Sequence, residues 1–156
     1  MKWTVCALVL GLTFGSDVWA QSYSVESIAE LFAEKDKGRG INSTSQREEQ
    51  LLEMTQRAAQ QCHNNLTEGN EAENVANMVI LTRQKLDAAE VPITHYELLD
   101  VVYSALADGK KDWNCAAVLA MYLVLRTPHD GTSGLTHIAA YKTIQAGRDN
   151  GLLDPK

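Results

Sequence analysis

Apolar side chains recur along this chain at intervals of three and four, the period of an α-helix, and almost nowhere alternate as a strand would. Ser24 is placed to cap a first helix carrying Val25, Ile28, Leu31 and Phe32 on one face. Gly38 and Gly40 end it, and a flexible connector runs to Thr44. Ser45-Gln46-Arg47-Glu48 reads as a capping box, in which serine and glutamate satisfy opposite free amides. It opens a second helix with Leu51, Thr55, Ala58, Cys62 and Leu66 at helical spacing. Asn70 followed by Glu73 opens a third, with Ala72, Val75, Ala76, Val79 and Leu86 inward. That helix ends near Ala89, because Pro92 has no amide to continue it and biases Val91 away from helix.

Thr94-His95-Tyr96-Glu97 is a second capping box. It begins a helix bearing Leu98, Leu99, Val102, Ala105 and Leu106, closed at Asp108-Gly109. Asp112 is the expected cap of a fifth helix through Arg126, stopped by Pro128. A last helix, from about Leu135 to Ala146, presents Leu135, Ile138, Ala139 and Ile144 inward. The fifth differs from the others, because Ala116 to Leu125 is ten apolar residues without a polar face. Such a helix is enclosed by its neighbours, or its outer side meets another chain. The expected fold is therefore all-α, a five- or six-helix bundle with a central apolar helix and one disulfide.

The first twenty residues fall outside this pattern. Lys2, an apolar run from Trp3 to Phe14, a polar break at Gly15-Ser16-Asp17 and Val18-Trp19-Ala20 form a secretory leader, cut before Gln21. The run is too short to span a bilayer comfortably. The expectation is a cleaved signal peptide over 1–20, a single helical domain over 21–156, and a secreted or periplasmic destination. The 136 residues left of the 156 can bury a hydrophobic core of their own. The leader carries one basic and one acidic residue, so the mature chain keeps the net charge of −6. With no basic run longer than Lys110-Lys111, nucleic acid is not a partner. An acidic surface favours solubility and suits a basic partner.

With Cys6 in the leader, Cys62 and Cys115 remain, and one intramolecular pairing is possible. In an oxidising compartment they are expected to bridge, closing a loop of roughly 54 residues and contributing about 4 kcal/mol. The alternatives are two free thiols or a bridge to another chain. Asn42-Ser43-Thr44 and Asn65-Leu66-Thr67 are glycosylation triplets, so Asn42 and Asn65 are acceptor candidates in a eukaryotic source.

Candidate chemistry is thin. The four histidines, His63, His95, His129 and His137, lack the spacing that puts two imidazoles on one helix face, and no HExxH occurs. His129-Asp130 is the pairing to weigh for hydrolysis, but Pro128 and Gly131 bracket it into a turn. There is no GxSxG elbow and no phosphate loop. Carboxylates such as Glu48, Glu97 and Asp100 are expected on exposed faces or in caps. Tyr96, Tyr103, Trp113, Tyr122 and Tyr141 line a pocket between the last three helices or belong to core and boundary. No catalytic, cofactor or metal residue is assigned, and the chain reads as more a binder than an enzyme. The leading expectation is a non-enzymatic extracytoplasmic helical interaction protein, inhibitor-, immunity- or ligand-like. Its partner is another protein or a second copy, met through an apolar helix face, with no membrane span in the mature chain. The alternatives are a carrier of a small apolar ligand and a hydrolase using His129 and Asp130.

Overall fold

In the computed structural model the described residues are 23–42, 44–62, 70–106, 114–129 and 131–151. Among them the chain forms six helices: α1 (Val25–Lys37), α2 (Ser45–Gln61), α3 (Glu71–Ala88), α4 (His95–Ala105), α5 (Cys115–Arg126) and α6 (His137–Asp149). The expected all-α bundle is present. The leader over 1–20 lies outside the described residues.

Each helix starts where a short polar side chain can accept an orphan amide. Ser24 accepts from Ser27, Asn70 from Glu73 and Thr136 from Ala139. The Thr94–Glu97 capping box has both halves in place. Two starts differ from expectation. Thr44, not Ser45, caps α2: its backbone is extended and its hydroxyl takes the Arg47 amide at 3.2 Å. Asn114 caps α5, accepting from Ala117 at 3.0 Å, while Asp112 lies outside the described residues.

The end of α3 is a Schellman turn built without glycine. The Val91 amide donates to Leu86 and the Glu90 amide to Asp87, with Glu90 at φ 58°. Pro92 then prevents return to helix. The end of α1 makes the same turn with Gly40, at φ 83°, in the left-handed position.

A central helix exists, but it is α4. It packs against all five others. Leu98, Leu99, Val101, Val102 and Ala105 are buried around its circumference. Helix α5 touches α3, α4 and α6 and buries only the stripe Cys115, Val118, Leu119, Tyr122 and Arg126. Ala116, Ala117, Ala120 and Val124 face outward. The reason is size: alanines gain little from burial, so a row of them does not force a helix to the centre. The last helix is turned relative to expectation. Ala140, Ile144 and Gly147 face the core, while Leu135 and Ile138 are exposed. Small residues at 140 and 147 let α6 approach its neighbours closely, leaving Ile144 as its one large buried side chain.

The Cys62–Cys115 disulfide is formed, with Cα atoms 5.4 Å apart. It ties the C-terminal end of α2 to the first residue of α5. No described helix is long and apolar enough to cross a membrane.

Candidate functional site

Among the described histidines His95 is the most connected, and it is buried. The Asp36 carboxylate, at the end of α1, meets the first turn of α4. Its Oδ1 accepts from the His95 amide at 3.0 Å and lies 2.7 Å from His95 Nδ1, while Oδ2 accepts from the Tyr96 amide at 3.1 Å. On the far side of the ring, Arg83 Nη1 is 3.1 Å from Nε2. A carboxylate only accepts and a guanidinium only donates, so Nδ1 carries the hydrogen and Nε2 offers its lone pair. Arg83 also donates to Asp87, which receives a second bond from Arg39. The imidazole stacks on Phe32 with ring centres 4.7 Å apart. Burial pushes the Asp36 carboxyl upward, but the bonds from the His95 ring and the two amides outweigh it and hold it below the ordinary value of 3.8. With Asp36 and His95 both enclosed, this cluster joins α1, α3 and α4 rather than meeting a ligand.

An accessible polar cleft lies between α4 and α6. Asp100, His137, Tyr141 and Lys142 line about 360 Å³, with Ile138 and Gln145. Behind it, the Tyr122 hydroxyl is 2.7 Å from His137 Nδ1, which orients the imidazole. Burial pushes the Tyr122 phenol up to about 12; the Arg126 cation opposes this and Glu97 reinforces it. The phenol therefore stays neutral in the folded chain across the physiological range. Asp100 is half-buried rather than exposed. Burial raises its carboxyl above the usual range, His137 draws it back and Glu97 adds to the rise. None of the lining residues is a serine, threonine or cysteine. The cleft thus places an oriented imidazole near a carboxyl, with a phenol and an amine beside them.

Sequence reasoning missed Asp36, Arg83 and the position of Asp100. Asp100 had a readable signal, since Leu99 and Val101 beside it are both fully buried. Asp36 had none, because its partner lies 59 residues away.

The other candidates are dispersed. His129 is exposed, with Nε2 donating to the Val124 carbonyl at 3.1 Å. Asp130, its expected partner for hydrolysis, lies outside the described residues, as do His63, Asn65 and Trp113. Asn42 is exposed just before α2. Tyr96 and Tyr103 reach to α2, where their hydroxyls donate to Gln50 and Glu53. Arg47 and Arg57 lie over the two rings at 4.2 and 4.8 Å from the centroids. Those two tyrosines therefore pin α2 to α4, while Tyr122 and Tyr141 flank His137. Among the described residues no group of three or more His, Cys, Asp or Glu side chains is placed to hold a metal ion.

The outward side of α5 is apolar along its whole length. Ala116, Ala117, Ala120 and Val124 are exposed, Val124 to 59%, and Met121, Leu123 and Leu125 are half-buried. Leu135 continues this surface at the entry to α6, its amide bonded to the Leu125 carbonyl at 2.8 Å. No known protein family, curated protein or solved structure matches this chain.

Proposed function

We propose that this chain is an extracytoplasmic, non-enzymatic binding protein that engages another protein through its helical surface, in the manner of an inhibitor, an immunity protein or a secreted ligand. The observation that carries the reading is the outer side of α5, where a helix on the surface presents apolar residues with no polar face. A surface helix normally turns charged or polar side chains to water, and an exposed apolar helix side is a favourable docking face for another chain. The disulfide is compatible with an oxidising compartment, where such bridges persist.

Native mass spectrometry of the protein recovered from its source tests the reading, with Val124→Glu expressed in parallel. The expected result is a wild-type complex with a second polypeptide that the variant does not form. Because Val124 is exposed, the variant's unfolding free energy should stay within about 0.5 kcal/mol of wild type. A monomer in both samples removes the interaction reading. A small added mass, lost on denaturation, replaces it with the carrier.

A further inference from the structure

Helices α1 and α2 pack side by side and leave a groove of about 560 Å³ between them. Its floor is apolar: Ala29 and Ala33, one turn apart on α1, and Leu52 of α2, which is 36% exposed. The methyl side chains on α1 keep the groove open, since a larger residue at 29 or 33 would fill it. Its walls are acidic. Glu26, Glu30 and Glu34 follow one another at four-residue steps along α1, so they form one row on the helix surface. Glu48 and Glu49 stand on the α2 side. Lys37 is the one basic residue among those that line it.

Like charges at four-residue spacing repel, and carboxylates placed on both sides of an apolar floor gain most from a cation between them. From this geometry we infer that the groove takes a basic amphipathic helix of a partner protein. An apolar trough between two helices, floored by small side chains, is the shape into which a third helix packs. The thirteen residues of α1 extend about 20 Å, room for between three and four turns. Lys or Arg at every fourth position of the incoming helix would match the row Glu26, Glu30, Glu34 step for step. Carboxylates strung along a helix, unlike converging ones, suit an extended polycation better than a single small ion. This deepens the protein-binding reading by giving a partner's chemistry, and it uses a surface separate from α5.

The test is fluorescence anisotropy of the full, disulfide-bonded chain with a labelled synthetic helix that carries Lys at four-residue steps and Leu on one face. A scrambled peptide of equal composition, unable to form one apolar face, is the control. Wild type is expected to bind the amphipathic peptide at least tenfold more tightly than the scrambled one, and more weakly at about 0.3 M salt than at low salt. Glu30→Lys with Glu48→Lys should weaken binding at least tenfold. Glu30→Gln with Glu34→Gln should weaken it less, which covers the case of a double reversal that does not fold. Val124→Glu should leave peptide binding unchanged, so failure of the α5 reading and failure of this one are separable. Equal binding of both peptides, or of wild type and the charge variants, overturns the inference. Displacement of the peptide by calcium or spermine at matched ionic strength also overturns it and assigns the groove to small cations.

Discussion

Asp36 and His95, 59 residues apart in sequence, form a buried 2.7 Å hydrogen bond at the point where the end of α1 meets the start of α4. The carboxylate does two things there. It fixes the imidazole, and it caps the first-turn amides of the central helix, complementing the positive end of that helix. With the Thr94–Glu97 box alongside, the free amides of this buried helix start find acceptors.

Asp36→Ala should therefore be costly. It removes the acceptor from the His95 amide, the His95 ring and the Tyr96 amide, in a site that water does not reach. Buried donors left without partners put the expected loss at about 3–5 kcal/mol. Urea unfolding should report it as a lower midpoint with an unchanged slope. A loss below about 1 kcal/mol would mean that the cluster does not hold α1 to α4.

The same residue predicts a pH dependence. Asp36 is held below the ordinary value of 3.8 in the folded chain, so the unfolded chain binds this proton more readily. Its contribution is fully present above the ordinary value and is lost as pH falls through the folded one. Stability followed by urea unfolding from neutrality to well below pH 3.8 should decline in wild type once the pH passes below 3.8. An Asp36→Asn variant should start lower and lose less over that interval. Parallel pH curves for the two proteins would rule the assignment out.

How far the sequence disclosed this architecture depends on the range of the interactions involved. The capping residues Ser24, Asn70 and Thr94 act within three residues of themselves, so they could be read directly. The shift of the α2 cap from Ser45 to Thr44 arises because two adjacent hydroxyls compete for one role. Inward faces were legible for α1 to α4, where charged residues mark the outer side of the helix. They stayed open for α5 and were misjudged for α6, whose alanines and glycine fit a buried or an open position equally well. The disulfide followed from having two cysteines and one pairing. The candidate sites were mostly illegible. The α1–α2 groove joins glutamates from two helices, and the His137 cleft joins Asp100 of α4 to α6. Neither juxtaposition has a local signature.

The glycine-free end of α3 offers a stabilising substitution. Glu90 occupies the left-handed position of the Schellman turn at φ 58°, a conformation that costs a residue with a Cβ roughly 1–2 kcal/mol. Its side chain is exposed, so little contact is lost on removing it. Glu90→Gly relieves that cost and gives part of it back through the greater freedom of the unfolded chain. The expected net gain is about 0.5–1 kcal/mol in urea unfolding. Glu90→Ala, which keeps the Cβ, should gain nothing. Equal effects of glycine and alanine would show that backbone conformation is not the cause.

At the alkaline end the relevant group is Tyr122. Its hydroxyl lies 2.7 Å from His137 Nδ1 inside the α5–α6 contact, and burial pushes the phenol up to about 12 against an ordinary 10.0. Because the folded value is the higher one, the neutral phenol stabilises the fold fully below 10, and that contribution disappears as pH rises from 10 towards 12. Tyrosinate absorbance at 295 nm should show one tyrosine that ionises only as the protein unfolds. Tyr122→Phe should remove that late component and lower stability near neutrality by about 0.5–1.5 kcal/mol. It should also flatten the decline above pH 10. If all tyrosines titrate together near 10 while the protein is still folded, the Tyr122 phenol is not held in the buried, neutral state that orients His137.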